Sequence, residues 1–372
     1  MERFREVVEN RHRYAREWKA RTGGKVLGYF CCYVPEEVIY AAGILPVRIM
    51  SSRESPVLVD PYLFAMYCPF SRGCLHEGLA GRYDYLDGIV MARTCFHILG
   101  AFECWERLLP TPYRYSLHMP HTPQEPHAKS LFIGEIEDFK ASLEKWVVNA
   151  ISTEALDKAI EVYNTNRRLL MDVYKLKLDT PPAVSGAETM DMTLSSMLMD
   201  KGEHNQLLAE VLERLPARND RPTPGTRLMV VGGALDNSDM VRLVESLGAN
   251  IVVDDLCMGT RYFWGEVMPE GDRLAAIARR YLDKPNCPTK DPLHKRRVGH
   301  VLKLAKDYGV QGIYQVQQKF CDSHELYLPL LQGAYKQSGL PMLFIELDTM
   351  MPVGQIQVRT EAFLEMLEPE LV

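Results

Sequence analysis

Short apolar runs bounded by turn residues recur in the first third and the last part of the chain and predict two groups of buried strands. The first group spans residues 25–30, 45–49 and 86–92, and the second spans residues 227–231, 250–255, 312–317 and 341–346. Such runs are typical of parallel strands that are covered on both faces. Helical patterns fall between the strands, at residues 35–42, 71–81, 294–308 and 324–338. The alternation predicts an α/β protein with two doubly wound lobes of the Rossmann or flavodoxin type.

The central part of the chain has a helical pattern instead. Apolar residues recur at helical spacing from residue 135 to 178 and again from 194 to 215. A polar, proline-bearing stretch at 218–225 is typical of a linker. The predicted organisation is an N-terminal helix with the first lobe over residues 1–134, a helical connector over 135–225 and a second lobe over 226–372.

The segment at 110–126 is rich in proline and histidine. Its prolines exclude a regular helix and predict a rigid loop over the first sheet. His118, His121 and His127 lie in or next to this segment. Histidines near a substrate can donate protons, although histidines in loops are more often surface residues. His118 is therefore a candidate catalytic residue beside that simpler alternative.

Composition and charge exclude several classes of protein. The 372 residues, 47% hydrophobic and 25% charged, are enough for two domains with full cores. The net charge of -6 gives no electrostatic footprint for nucleic acid. The sequence has no run of about 18 apolar residues, and its charged, helical start is unlike a signal peptide. We therefore expect a cytoplasmic protein that binds neither nucleic acid nor a membrane.

Three of the nine cysteines lie where predicted strands end or helices begin: Cys68, Cys95 and Cys321. Open α/β sheets bind their ligands at the carboxyl ends of the strands. Three thiolates from separate loops could hold a 4Fe-4S cubane and leave one iron without a protein thiolate. The sequence has no CxxC pair, and the wide spacing by itself favours ordinary buried cysteines that pack as small hydrophobic residues.

The sequence indicates metal binding less strongly at the other cysteines. Cys31 and Cys32 end the first predicted strand and border the same crevice, where they would bind metal, support the metal ligands or simply pack. Cys287 lies in a proline-flanked turn and is expected to bind no iron. The odd number of cysteines favours reduced thiols or metal ligands over a disulfide framework.

Two polar residues next to Cys321 are candidates for chemistry. Asp322 and His324 would tune a cluster or donate protons, with helix capping as the alternative. Phosphate-binding signals are weaker. The Gly232-Gly233 turn matches neither GxGxxG nor GxxxxGK[ST], so a tight turn is the simpler interpretation. The basic run at 294–297 would face either a phosphorylated ligand such as coenzyme A or solvent.

Four stretches carry a family resemblance, at residues 31–49, 68–95, 317–325 and 339–367. They include CCYVPEEVIYAAGILPVRI and QQKFCDSHE. In these stretches the chain resembles the superfamily of 2-hydroxyacyl-CoA dehydratases and benzoyl-CoA reductases. Within that superfamily, it is most similar to the cluster-binding C subunits of ATP-dependent class I benzoyl-CoA reductases. The stretches fall in both predicted lobes, so the resemblance covers most of the chain.

The resemblance implies two α/β lobes with a 4Fe-4S cluster in the cleft between them. It places the cluster ligands at Cys68, Cys95 and Cys321. Dehydratases of this superfamily usually have Cys-Asp where this chain has Cys95-Phe96, and serine where it has Cys74. Both differences favour a reductase, and they make Cys74 a further candidate ligand.

In such reductases, ferredoxin supplies electrons through two ATP-hydrolysing iron-sulfur subunits, A and D, to the homologous B and C subunits. Benzoyl-CoA is thereby reduced to a cyclohexadiene-carbonyl-CoA. The resemblance thus implies an iron-sulfur subunit of an aroyl-CoA reductase, active in the anaerobic degradation of aromatic compounds. The alternatives are a 2-hydroxyacyl-CoA dehydratase subunit, a non-catalytic electron-relay or scaffold subunit, and a structural zinc protein. The zinc alternative is weaker because structural zinc sites usually have four protein ligands.

Overall fold

Two four-stranded parallel sheets are present in the computed structural model, which describes residues 1–51, 54–291, 295–349 and 352–368. The first sheet contains β1 (Val26–Phe30), β2 (Leu45–Arg48), β3 (Gly88–Ala92) and β4 (Tyr113–Leu117). The second contains β5 (Thr226–Gly232), β6 (Ala249–Asp255), β7 (Gly312–Gln318) and β8 (Met342–Leu347). All strands except β4 coincide with predicted ones, so the predicted α/β class with two sheets is confirmed.

The two sheets have the same strand order, β2-β1-β3-β4 and β6-β5-β7-β8. In each sheet the chain first pairs on one side of its starting strand and then crosses to the other side. The direction of winding therefore changes between β1 and β3 and between β5 and β7. Such switch points leave a crevice at the carboxyl ends of the strands, where ligands bind in folds of this kind.

Helices surround the two sheets. Those of the first lobe are α1 (Glu2–Glu9), α2 (Arg11–Thr22), α3 (Glu36–Ala41), α4 (Pro69–Leu79) and α5 (Phe96–Leu108). The central helices are α6 (Pro126–Val147), α7 (Thr153–Lys175), α8 (Gly186–Ser196) and α9 (Lys201–Arg214). Those of the second lobe are α10 (Asp239–Ser246), α11 (Thr260–Phe263), α12 (Arg273–Asp283), α13 (Arg296–Asp307), α14 (Asp322–Gln337) and α15 (Val353–Leu367). Short 3-10 helices lie at Val57–Val59, Leu215–Ala217 and Pro288–Lys290.

The central helices contact both lobes. Helix α6 contacts α3 and β4 on one side and α12 on the other, and α7 contacts α3, α11 and α12. A buried ion pair reinforces this contact, because Arg167 on α7 pairs with Glu37 at the start of α3. Tyr281 on α12 donates a further hydrogen bond to Glu37 at 2.9 Å. The helical part of the chain thus fixes the first lobe against the second.

The segment predicted as a loop at 110–126 contains the edge strand β4, so that prediction was wrong. Tyr113–Leu117 pairs in parallel with β3 along its whole length. The prolines flank this strand rather than interrupt it, and an edge strand tolerates nearby proline because one side of its backbone makes no ladder bonds. The end of the segment, at Pro126, begins α6.

The helix predicted over residues 135–178 is divided into α6 and α7. Val148 has a φ of 55°, in the left-handed region, and ends α6. Ser152 caps α7, since its hydroxyl accepts a hydrogen bond from the Ala155 N–H at 3.2 Å. Helices α5 and α12 were not predicted. In the basic run, His294 lies outside the described residues, and the helix begins at Arg296.

Candidate functional site

A cavity of about 90 Å³ lies between the two lobes, beside the carboxyl ends of both sheets. Its wall is formed by residues that follow β1, β3, β5, β6 and β7. Seven of the nine cysteines line this cysteine cavity: Cys31, Cys32, Cys68, Cys95, Cys257, Cys287 and Cys321. All nine are free thiols.

The three predicted ligands each precede a helix. Cys68, Cys95 and Cys321 are the residues directly before α4, α5 and α14. The unpaired N–H groups and positive end of a helix favour negative charge on such sulfur atoms. A charge on Cys68 or Cys95 would act on Cys321, so the three sulfurs lie near one another. The fold brings the three together from two lobes, while their binding of iron stays a prediction.

Burial keeps these thiols neutral in the protein alone. Removal from water raises the pKa of Cys95 to about 12, and it also raises the pKa values of Cys68 and Cys321. Because metals bind the thiolate form, a bound metal must replace the three protons. Metal uptake at this site would therefore release protons.

Cys31 and Cys32 border the same crevice, as predicted. Both follow β1, and the Thr94 hydroxyl donates a hydrogen bond to the Cys31 sulfur at 3.2 Å. Cys31 has a φ of 74°, a left-handed conformation that residues other than glycine seldom adopt.

Two further cysteines of the cavity escaped the prediction. Cys257 follows β6, so the strand-end rule used for the other cysteines would have found it. Cys287 was expected to bind no iron, which stays a prediction, and the structure places it on the cavity wall. Its backbone N–H donates to the hydroxyl of Tyr33 in the first lobe at 3.1 Å, which holds the Cys287 turn against the cavity.

Cys74 and Cys104 lie away from the cavity wall. The buried sulfur of Cys74, on α4, lies 3.9 Å from the carbonyl oxygen of Ile49. The sulfur of Cys104, on α5, lies 3.8 Å from the carbonyl oxygen of Tyr62. Cys74, a candidate by resemblance, is thus not part of the cavity wall that carries the other candidate ligands.

Buried positive charge surrounds the cysteine cavity. Arg48 lines it with 3% of its surface exposed, and Arg48 Nε and Nη1 have no hydrogen-bond partner in the described part of the chain. Lys284 is also buried, and its amino group donates to the carbonyl oxygen of Cys32 at 2.6 Å. A positively charged wall favours an anionic occupant.

A second group of buried charges supports the wall from the second lobe. Asp255 pairs with Arg261 at 3.1 Å and with Arg297 at 2.5 Å. Burial alone would raise the pKa of Asp255, but the two guanidinium charges lower it, so Asp255 stays ionised. Arg297 belongs to the basic run at 294–297 and is buried, so at this residue the run faces neither coenzyme A nor solvent. Two arginines against one carboxylate add net positive charge near the cavity.

The candidate acid-base residues near Cys321 have different environments. His324 lines the cavity, and burial, aided by the charges of Arg297 and Arg261, lowers its pKa well below the ordinary value. His324 is therefore a neutral imidazole. Asp322 is largely exposed, with one carboxylate oxygen 3.5 Å from His97 Nε2.

His97 is a residue that the sequence reasoning missed. Its Nδ1 accepts a hydrogen bond from the backbone N–H of Cys68 at 2.8 Å, which assigns the ring proton to Nε2. The Nε2 side faces Asp322 from the other lobe. His97 thus links the first-lobe cysteine to the helix that Cys321 begins.

A larger cavity of about 660 Å³ adjoins the cysteine cavity at Thr94 and Cys95. His118, His121 and His127 all line it, together with apolar residues. We call it the histidine cavity. Its volume is in the range of pockets that hold small organic ligands, roughly 300–1,000 Å³. His118 Nδ1 lies 3.4 Å from a carboxylate oxygen of Glu135.

Among the described residues, no three His, Cys, Asp or Glu side chains are close enough to hold a single metal ion. A tetrahedral zinc site needs thiolates roughly 3.8 Å apart, given Zn–S bonds of about 2.3 Å. The zinc alternative therefore gains no support. None of the helices built from the described residues is long and apolar enough to span a membrane.

The family model described as 2-hydroxyglutaryl-CoA dehydratase, D-component, matches residues 31–367. The chain belongs to this family. The match begins at the first cysteine of the cavity and ends in α15, so it spans both lobes and the helices between them.

Curated relatives of this chain belong to two kinds of enzyme. It is 26% identical to the (R)-phenyllactyl-CoA dehydratase beta subunit of Clostridium sporogenes, over 98% of this chain and 97% of that relative. It is 26% identical to the C subunit of benzoyl-CoA reductase from Thauera aromatica, over 88% of this chain and 87% of that relative. It is 25% identical to the beta subunit of lactoyl-CoA dehydratase from Anaerotignum propionicum, over 99% of this chain and 98% of that relative. The superfamily suggested by the sequence is confirmed, whereas the identities do not separate reductase from dehydratase.

Proposed function

We propose that this chain is the iron-sulfur subunit of an enzyme complex that activates a coenzyme A thioester by electron transfer. The observation that carries the proposal is the grouping of Cys68, Cys95 and Cys321 on one buried cavity, each at the start of a different helix. D-component relatives are subunits of coenzyme A thioester dehydratases and reductases, which supports the same conclusion.

The donor set suits the 4Fe-4S cluster that the resemblance implies. Thiolates are the ligands of such clusters, and a cubane with three of them keeps one iron open. When bound, the cluster would supply low-potential electrons. Cys68, Cys95 and Cys321 would hold it, and Arg48 and Lys284 would offset its negative charge. The described residues therefore fit the group in donor chemistry and in charge.

The residues of this chain would bind and orient the thioester beside that site. The histidine cavity meets the cysteine cavity at Thr94 and Cys95, so an acyl group bound there would lie next to a cluster ligand. His118 faces the same space and pairs with Glu135, which makes it a candidate proton donor. Neutral His324, on the cysteine cavity, can donate one hydrogen bond without adding charge.

The finer proposal is reduction of benzoyl-CoA or a related aroyl-CoA to a cyclohexadiene-carbonyl-CoA. It is supported by Phe96 after Cys95, by Cys74, and by the similarity to the C subunit of benzoyl-CoA reductase. The partners would be a homologous B subunit, the ATP-hydrolysing iron-sulfur A and D subunits, and ferredoxin.

A second candidate is loss of water from a 2-hydroxyacyl-CoA. It is favoured by the matches to the phenyllactyl-CoA and lactoyl-CoA dehydratase subunits, which extend over a larger share of both chains than the match to the reductase. This reaction returns its electron after each turnover, whereas ring reduction consumes two.

Anaerobic co-purification with its partner subunits tests both candidates. The complex is supplied with ATP, a reduced ferredoxin and either benzoyl-CoA or phenyllactyl-CoA, and products are analysed by mass spectrometry. Dearomatised product with ATP consumed at every turnover supports the reductase. Cinnamoyl-CoA formed without net oxidation or reduction supports the dehydratase. A complex that contains no iron would overturn the proposal for both reactions.

A further inference from the structure

A buried lysine lies in the wall between the two cavities. Lys290 ends the short 3-10 helix Pro288–Lys290 of the second lobe and has none of its surface exposed. Its amino group reaches the first lobe, where it donates a hydrogen bond to the carbonyl oxygen of Met119 at 3.0 Å and a longer one to that of Arg93 at 3.4 Å. Arg93 follows β3 and Met119 follows β4. One ammonium group therefore joins the carboxyl ends of two neighbouring strands.

The residues around Lys290 line both cavities. Arg93 and Met119, whose carbonyl oxygens accept its hydrogen bonds, line the histidine cavity. Thr289, the residue before it, lines the cysteine cavity. The two cavities meet at residues 94–95, directly after Arg93. Lys290 thus holds the loop after β3 at the place where the two cavities adjoin.

Burying this ammonium group is costly. Its partners are two backbone carbonyls, and among the described residues no carboxylate pairs with it. An ammonium group has three N–H donors, so these two contacts leave one of them unused. Burial lowers the pKa of Lys290 to about 8. An apolar side chain of similar length would fill the same space without that cost, so packing alone does not account for a lysine here.

The charge of Lys290 acts on groups in both cavities. It lowers the pKa of His121, which lines the histidine cavity, and it would favour a negative charge on Cys95. The other titratable groups that face it are Cys287 on its own turn and Cys31 after β1. A fixed charge away from water stabilises negative charge that develops close to it, because the surrounding dielectric constant is low.

We propose that Lys290 is a positioning residue for the thioester reaction. Its ammonium group fixes the loop after β3 between the bound acyl group and Cys95. Its charge also favours the negative charge that an added electron gives to the thioester. In that step the reduced partner protein loses one electron and the thioester gains one, without breaking a bond. The inference rests on the proposed function, which places the acyl group in the histidine cavity.

The pH dependence of turnover tests the role of the charge. The anaerobic complex is assayed with the thioester that it converts, benzoyl-CoA or phenyllactyl-CoA. The kcat of the unchanged complex should fall as the pH rises through about 8, where Lys290 loses its proton. Lys290→Met should lower kcat about 10–100-fold at pH 7 and remove this fall. KM should change little, because the charge acts after the thioester has bound.

A conservative variant separates charge from packing. Lys290→Arg keeps the positive charge at every pH of the assay, because a guanidinium group does not lose its proton below about pH 12. This variant should restore most of the kcat and keep it above pH 8. A residue needed only to fill space would give no such difference between methionine and arginine.

A second readout needs neither partner subunits nor turnover. The ring of His121 is titrated by NMR in the full-length, metal-free chain, with His121→Gln to assign its signals. Its pKa should rise in Lys290→Met, because the positive charge that lowers it is gone. Lys201→Met is the matched control. Lys201 is also buried and its pKa is also lowered to about 8, but it lines neither cavity, so its replacement should leave kcat and the His121 titration unchanged.

The outcomes separate this inference from the proposed function. An active complex in which Lys290→Met keeps its kcat, or a His121 titration that Lys290→Met leaves unchanged, would overturn the inference and leave the proposed function standing. An unchanged complex that converts neither thioester would overturn both. Circular dichroism checks that each variant folds. If Lys290→Arg does not fold, the pH profile of Lys290→Met and the His121 titration decide.

Discussion

The two lobes have the same strand order but differ in the residues that come after their strands. In the first lobe, the loops after β1 and β3 both carry cysteines that line the cavity. In the second lobe, the corresponding loop after β5 begins with Gly233, and a Cβ on Gly232 would lie 2.2 Å from the carbonyl oxygen of Val316 on β7. In the second lobe, cysteines reach the cavity wall after β6, after β7 and from a separate turn. Neither lobe alone carries all the cysteines that line the cavity, so the cavity is a property of the pair.

The contacts between the lobes are polar and buried. Glu37 at the start of α3 binds Arg167 and Tyr281, and Lys284 donates to the carbonyl oxygen of Cys32. Buried charged pairs fix a geometry more than they add stability, because desolvation offsets much of their attraction. We infer that these contacts fix the positions of the two halves of the cavity relative to each other.

Iron content gives the largest expected effect. Serine at Cys68, Cys95 or Cys321 should each remove at least half of the bound iron and sulfide, because each substitution removes a thiolate that the helix start directs into the cavity. Replacements in the first lobe and in the second should be equally damaging. C104S is the matched control, and loss of iron from C104S to the same extent would show damage to the fold instead.

The next largest effect is expected on stability, from a substitution that weakens the contact between the lobes and leaves every cysteine in place. Arg167→Met leaves Glu37 buried without its charge partner and should lower the free energy of unfolding by about 3–5 kcal/mol. Arg168→Met, at the next residue, removes two more exposed ion pairs, to Glu161 and Glu266, and should change the free energy of unfolding by less than about 1 kcal/mol. Urea titration of metal-free protein measures both. Similar values for the two variants would contradict a special role of the Glu37 contact.

The helices between the lobes should make stability sensitive to acid. Burial lowers the pKa of His204 to about 3, because the ring lies among Asn166, Ser195 and the Met192 carbonyl as a neutral group. Below its ordinary pKa near 6.5, the unfolded chain takes up a proton that the folded protein does not. His204 should therefore reduce stability by about 2 kcal/mol between pH 7 and pH 5.

The comparison for this prediction is His204→Gln, which has no group that titrates in this range. The variant is expected to be less stable at pH 7, because its hydrogen bonds are altered, yet to lose less stability on going to pH 5. Urea midpoints at the two pH values give the difference. An unchanged pH dependence in the variant would mean that other groups set the acid response.

The smallest expected effect is on the reduction potential of the proposed iron-sulfur cluster. Arg48→Met removes a buried positive charge from the wall formed by first-lobe residues. At an effective dielectric constant near 20, such a charge stabilises an added electron by about 1–2 kcal/mol. The midpoint potential of the variant should fall by roughly 40–90 mV, since a one-electron shift of 59 mV is tenfold in equilibrium. A potential unchanged at equal iron content would show that Arg48 balances another group.

Much of the fold followed from the sequence because buried parallel strands leave continuous apolar runs. β4 did not, because an edge strand with partly exposed residues lacks such a run and lies among prolines. The split between α6 and α7 depends on the conformation of Val148, a residue with no left-handed preference of its own. The predicted grouping of Cys68, Cys95 and Cys321 on one cavity followed from two local signals, a strand end before Cys95 and Cys321 and a helix start after Cys68.

These local signals failed where the chain reaches the cavity in another way. Cys287 lies in a turn, and its position depends on a hydrogen bond to Tyr33 of the other lobe, which no local pattern reveals. His97 had no signal either, since its role depends on the backbone of Cys68 and on Asp322 from a distant helix. Contacts between the lobes join residues that are far apart in the sequence. The pattern of apolar residues within one segment does not predict them.

The spread of the cavity thiols along the chain constrains how the protein matures. Cys31 leaves the ribosome early, whereas Cys321 appears after most of the second sheet has been synthesised. A nascent chain that presents the first thiols therefore has no enclosed place to keep a metal. Loading of the proposed cluster would have to wait until translation has passed β7, and oxygen or stray metals could reach the early cysteines before then.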